Sequence, residues 1–133
     1  MYTAVVCRTH GGPESLALEQ LPSQPLAAGQ VRIAMRTAGL NYPDLLMSRN
    51  LYQIKPELPF TPGMEGAGHI SEVGEGVTGH AVGDRVMFTD RHGCFAQEAI
   101  APAAELLRVP EGFTFAEAAS FVVAVSTATN ALL

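Results

Sequence analysis

The stretch Leu58–Val77, LPFTPGMEGAGHISEVGEGV, constrains this chain more than any other. Pro59 and Pro62 fix φ and favour an extended approach. Gly63, Gly66 and Gly68 follow in quick succession, each removing a Cβ where backbone must turn or pass close to something. Glu65 sits among them, a carboxylate in small and apolar company. A strand-like run His69–Val73 comes next, closed by Gly74-Glu75-Gly76. Two readings are open: a Gly-rich turn between strands with Glu65 on the surface, or the wall of a site.

The rest of the composition narrows the class. A chain of 133 residues is one domain of ordinary size, able to bury a core. Its net charge of −5 argues against a nucleic-acid or anionic-membrane surface. Cys7 and Cys94 form no CxxC pair, so a disulfide framework is not expected and a reducing cytoplasm fits better. The start, MYTAVVCRTHG, lacks the layout of a signal peptide, and no apolar run reaches the roughly 20 residues that span a bilayer.

Periodicity predicts β-structure early. Tyr2–Arg8 is β-branched and apolar, Leu16–Leu21 alternates, and Val31–Thr37 sets Val31, Ile33 and Met35 against Arg32, Ala34 and Arg36. Gly11-Gly12-Pro13 and Ala28-Gly29-Gln30 are turn signals, and strands at this spacing suggest a barrel or sandwich. Pro43 suits the first turn of a helix over Pro43–Arg49, with Asn41 as its cap or, alternatively, as a chemical group. Asp84-Arg85 reads as a turn and a surface pair, and Glu98–Val109 gives further short strands. Thr114-x-x-Glu117 is a capping box before a helical run. From Ala118 to Leu133 that run carries no charge, so it is expected to be buried on several sides.

Gly63-Met64-Glu65-x-x-Gly68, five residues, Gly74, two residues, Val77 resembles the GHE signature of the medium-chain dehydrogenase/reductases. Gly11-Gly12-Pro13-Glu14 and Val82-Gly83-Asp84-Arg85-Val86 resemble that family's GGPE turn and GDRV strand entry. Met64 stands where the alcohol dehydrogenase branch has its catalytic-zinc histidine, and a thioether is no usual zinc ligand. Asn41-x-x-Asp44 replaces C-x-x-D, and a neutral amide supplies no thiolate. Only Thr89–Gly93 stands where zinc-containing members insert a cysteine-rich lobe. His92 and Cys94 make an isolated H-x-C, too sparse for a metal site, and Cys94 takes a slot the family usually gives to a small residue. The resemblance is therefore to the zinc-free branch, the NADPH-dependent quinone oxidoreductases.

That resemblance implies a mainly β (α+β) fold, a GroES-like partial β-barrel with short helices. The GroES-like substrate-side domain would be residues 1–112. Residues 113–133 would be a helix leading toward a dinucleotide-binding Rossmann domain, before which the chain is truncated. The main NADPH site would lie in that missing domain, and no zinc would be held. The implied reaction moves hydride to a quinone or an α,β-unsaturated carbonyl, in an enzyme that is a homodimer when full length and inactive as this fragment. The resemblance assigns Asn41 to the nicotinamide or a substrate oxygen, Thr127 to the cofactor, and Tyr42 and Met64 to the substrate wall. Glu65 reads as an internal hydrogen-bonding anchor. Tyr52 aligns with the favoured proton donor of the related enoyl thioester reductases, or else it packs the loop as most tyrosines do. Thr127, inside a helix, has its own alternative in bonding to backbone. An enoyl thioester reductase and a non-catalytic GroES-like binding module remain as rival functions.

Overall fold

Alternation in the third strand sets the centre of the molecule. In this computed structural model, which describes residues 1–132, β3 (Gln30–Gly39) buries Val31 and Ile33 completely and turns Arg32 and Ala34 to its other face. β1 (Tyr2–Val6) and β2 (Ala17–Leu21) precede it as an antiparallel pair, Tyr2 opposite Leu21. α1 (Tyr42–Ser48), β4 (Glu65–Val73), β5 (Arg85–Thr89), β6 (Glu98–Pro102) and the two-residue β7 (Leu107–Arg108) follow. The larger sheet runs β6-β3-β4-β5-β7, with every neighbouring pair antiparallel. Backbone bonds from Val5 N–H to the Phe95 oxygen and from Cys7 N–H to the Phe60 oxygen tie this pair to the segments that lead into β6 and β4. The result is the partial barrel that the family resemblance implies.

The core beneath this sheet gathers Val31, Ile33, Ile70, Val86, Phe88, Cys94, Ala101 and Leu106. Each of the Val, Ile, Leu and Phe side chains among them contributes about 1.5–3 kcal/mol on leaving water. Arg32, on the opposite face of β3, joins both neighbouring strands: its guanidinium donates to Glu72 at 2.8 Å, to Glu98 at 2.7 Å and to the Gln24 oxygen at 2.7 Å. The glycines of the opening stretch act by close approach. A Cβ on Gly68 would lie 2.9 Å from the Ala34 carbonyl carbon and 3.0 Å from Met35 Cα, both backbone atoms of β3.

Four expectations need correction. β4 begins at Glu65, not at His69, so Glu65 belongs to a strand; at 3 % exposure it fits the reading as an internal anchor and not the alternative of a surface turn. The single uncharged helix is two: α2 (Phe115–Ala119) and α3 (Val122–Leu132). Ser120 and Phe121 separate them, and the Ser120 hydroxyl donates back to the Ala116 oxygen at 2.8 Å. α3 has no buried residue; its first turn reaches the sheet, where Val122 packs near Ala67 and Met87. Asp84 and Arg85 do not pair with each other. Asp84 pairs with Arg108 at 3.2 Å, whereas Arg85 donates to the Phe113 oxygen and lies over the Phe115 ring.

The capping box before α2 is as predicted. Thr114 Oγ1 accepts from the Glu117 N–H and the Glu117 carboxylate accepts from the Thr114 N–H, each at 3.1 Å.

Candidate active site

The candidate site starts where β3 ends and α1 begins. Asp44 is the third residue of α1, and one of its oxygens accepts the Asn41 N–H at 2.8 Å, the reciprocal half of a capping box. The other accepts the Gly63 N–H at 3.2 Å. Burial at 3 % exposure is the main reason its carboxyl is raised above the ordinary 3.8; the two N–H donors act in the opposite direction, and the nearby Glu65 charge adds to the rise.

The Asn41 side chain makes no full hydrogen bond to the helix end, although it faces the Asp44 N–H. Its Nδ2 instead donates to Glu65 Oε1 at 3.0 Å, an unbroken line from the start of α1 to the start of β4. The second oxygen, Oε2, accepts from the Val123 N–H at 3.0 Å in the first turn of α3. A carboxylate at a helix N-terminus satisfies an otherwise unpaired donor and complements the helix dipole. Asn41, Glu65 and the helix that carries Thr127 are thus joined by two hydrogen bonds.

Two clefts flank this junction. One, of about 350 Å³, has Ile54, Met64, Val122 and Val123 as apolar wall and Thr127 and Asn130 among its polar groups; Arg91 also borders it. The other, of about 440 Å³, is lined by Leu16, Leu40, Asn41, Tyr42, Leu45 and Phe95. Met64 and Thr127 therefore share one cleft and Asn41 and Tyr42 the other, with Glu65 between them. Tyr52 lines neither. It packs with Ile54 and Met64 against Cys7, Met47 and Phe60, the arrangement of a loop-packing side chain.

Sequence reasoning missed the structural part of Asp44 and both partners of Glu65. The N-x-x-D spacing signalled the first, because it matches a capping box; the second depends on a contact 58 positions away, which no local pattern announces. Cys94 is buried and its thiol is pushed up to about 12, first by burial and then by the carboxylates of Asp90, Asp44 and Glu65. His92 stacks edge-on against Phe60 at 5.9 Å. Among the described residues no group of three or more His, Cys, Asp or Glu side chains is placed to hold a metal ion.

Comparisons with known proteins agree with this geometry. The chain is 44 % identical over 120 residues to the synaptic vesicle membrane protein VAT-1 homolog of Rattus norvegicus, covering 89 % of this chain and 30 % of the relative. It is 37 % identical over 128 residues to the quinone oxidoreductase-like protein 2 homolog of Nematostella vectensis, covering 96 % and 35 %. The chain therefore spans about a third of the length of these relatives. Among solved structures, quinone oxidoreductase from Escherichia coli complexed with NADPH superposes with a TM-score of 0.87 at 27 % identity, covering 98 % of this chain and 40 % of that one. Residues 27–111 match the alcohol dehydrogenase GroES-like domain. The chain belongs to the alcohol dehydrogenase GroES-like domain family.

Proposed function

We propose that this chain is the substrate-side domain of a zinc-independent, NADPH-dependent oxidoreductase acting on a quinone or an α,β-unsaturated carbonyl. The observation that carries the reading is the junction of Asn41, Glu65 and α3 between two partly apolar clefts. A nicotinamide group, when bound, supplies the hydride. The cleft between Met64 and Thr127 fits it, because a flat ring with an amide edge needs an apolar wall and a polar rim, and both are there. Thr127 would hold the polar edge. Asn41 would offer its remaining Nδ2 hydrogen to an oxygen of the nicotinamide or substrate. Met64 would wall the nicotinamide side, and Tyr42, in the neighbouring cleft, the substrate side. Tyr52, aligned with the proton donor of the enoyl thioester reductases, is proposed in that role toward the enolate.

Family membership supports the oxidoreductase class, and the NADPH complex of the Escherichia coli neighbour supports the cofactor. A cytoplasmic setting belongs to the same proposal, with Cys7 and Cys94 free, and so does a homodimer when the chain continues into a dinucleotide-binding domain. Among the described residues no helix is long and apolar enough to cross a membrane.

The test is to extend the chain through the following domain and monitor NADPH oxidation with a quinone and with an enone. Turnover of either supports the reading; NADPH binding without turnover of any such substrate overturns it. Residues 1–133 alone are expected to bind NADPH barely, and micromolar binding to them would contradict the division of labour.

A further inference from the structure

We infer that Glu65 is a positioning residue for the site proposed above, an inference that rests on that reading. A carboxylate only accepts hydrogen bonds, so Asn41 must turn its nitrogen and not its oxygen toward Oε1. That choice leaves the second Nδ2 hydrogen as the group offered to a ligand oxygen. Through Oε2 the same side chain holds the Val123 N–H, and with it the first turn of the helix bearing Thr127. One residue thereby sets both which end of the Asn41 amide is available and how far Asn41 stands from α3. Glu65 lies flat against Gly39: a Cβ there would come within 2.7 Å of Glu65 Cγ and 2.8 Å of the Ala119 oxygen.

The two bonds demand two acceptors on one side chain. In Glu65→Gln the amide has one acceptor and one donor. If its oxygen keeps the Val123 N–H, its nitrogen faces the Asn41 nitrogen, and Asn41 must flip or lose its bond. Asn41→Asp alone sets two carboxylates against each other. In the double variant the aspartate at 41 accepts from the glutamine nitrogen, while the glutamine oxygen accepts from Val123. The pair of hydrogen bonds is restored with donor and acceptor exchanged.

The experiment is nuclear magnetic resonance on this chain and the three variants, reading the Asn41 side-chain amide signals and the hydrogen exchange of the Val123 N–H. Glu65→Gln is expected to displace the Asn41 amide signals where its oxygen keeps the Val123 N–H, or to speed Val123 exchange about tenfold where it does not, the effect of one lost hydrogen bond. Asn41→Asp is expected to speed Val123 exchange as well. The double variant is expected to recover protection to within about twofold of the parent. Unchanged Asn41 signals and Val123 exchange in Glu65→Gln overturn the proposal, as does a double variant that loses as much as both singles together. If a single variant does not fold, folding of the double supports the exchange and its failure overturns it. None of these readouts uses cofactor or substrate, so failure of the positioning role and failure of the oxidoreductase reading are told apart.

Discussion

The carboxylate of Asp44 receives the backbone N–H of Gly63 at 3.2 Å, fastening the first turn of α1 to the Gly-rich approach to β4. Asp44→Ala leaves that donor buried, and the part-buried Asn41 N–H, without partners and is expected to cost about 2–3 kcal/mol in denaturant unfolding. The folded state also holds the Asp44 proton more tightly than the unfolded chain, because burial raises its carboxyl. This contribution is complete below the ordinary value of 3.8 and fades as pH climbs through the raised one. Asp44→Asn has no such proton, so the stability gap between parent and variant should narrow across that climb. A gap that widens with rising pH contradicts the assignment.

Gly68→Ala should be among the most damaging small substitutions in the chain. The atoms it would strike are backbone atoms of β3, which cannot swing aside as a side chain can. Overpacking typically costs 1–3 kcal/mol, and about 3 kcal/mol is expected at this site, measured as the loss of unfolding free energy. Gly76→Ala is a useful comparison, because nothing lies within 4 Å of its Cβ position and only its backbone angle is strained.

Zinc should not matter to this protein. With Met64 and Asn41 at the positions of the family's ligands, chelation is expected to leave the melting temperature unchanged and elemental analysis to find substoichiometric zinc. One tightly held zinc per chain would sink the zinc-independent reading.

Tyr52→Phe, made in a chain extended through the dinucleotide-binding domain, separates proton donation from packing. A proton donor is expected to contribute roughly 10²-fold or more to kcat on an enone, with NADPH affinity barely altered. A quinone should suffer less, since its reduced oxygen can be protonated from water after release. Full kcat on every substrate would leave Tyr52 as the packing residue its contacts with Cys7, Met47 and Phe60 already make it.

The sheet was legible because alternation and glycine spacing are local signals. Val31 and Ile33 announced the buried face of β3, and Thr114 and Glu117 announced the start of α2. Glu65 was not placed on its strand, since glycines on both sides lower strand propensity and only close packing against β3 and β5 explains why strand wins there. The break at Ser120 was hidden because the uncharged run reads as one apolar segment, while the contact that holds the start of α3, from Glu65 to the Val123 N–H, comes from 58 positions away. Of the candidate site, residue types were readable and the junction was not, because it joins positions 41, 65 and 123 through side-chain geometry alone.

Gly39 and Gly68 have no room for an added carbon, yet the side chains just outside this frame are open, Leu40 at 81 % and Tyr42 at 69 % exposure. Mutational freedom is therefore divided sharply along the chain. A library that varies Leu40, Tyr42 and Leu45 can reshape what the cleft admits while the folded frame persists, and one that touches the glycines will mostly yield chains that never reach the assay.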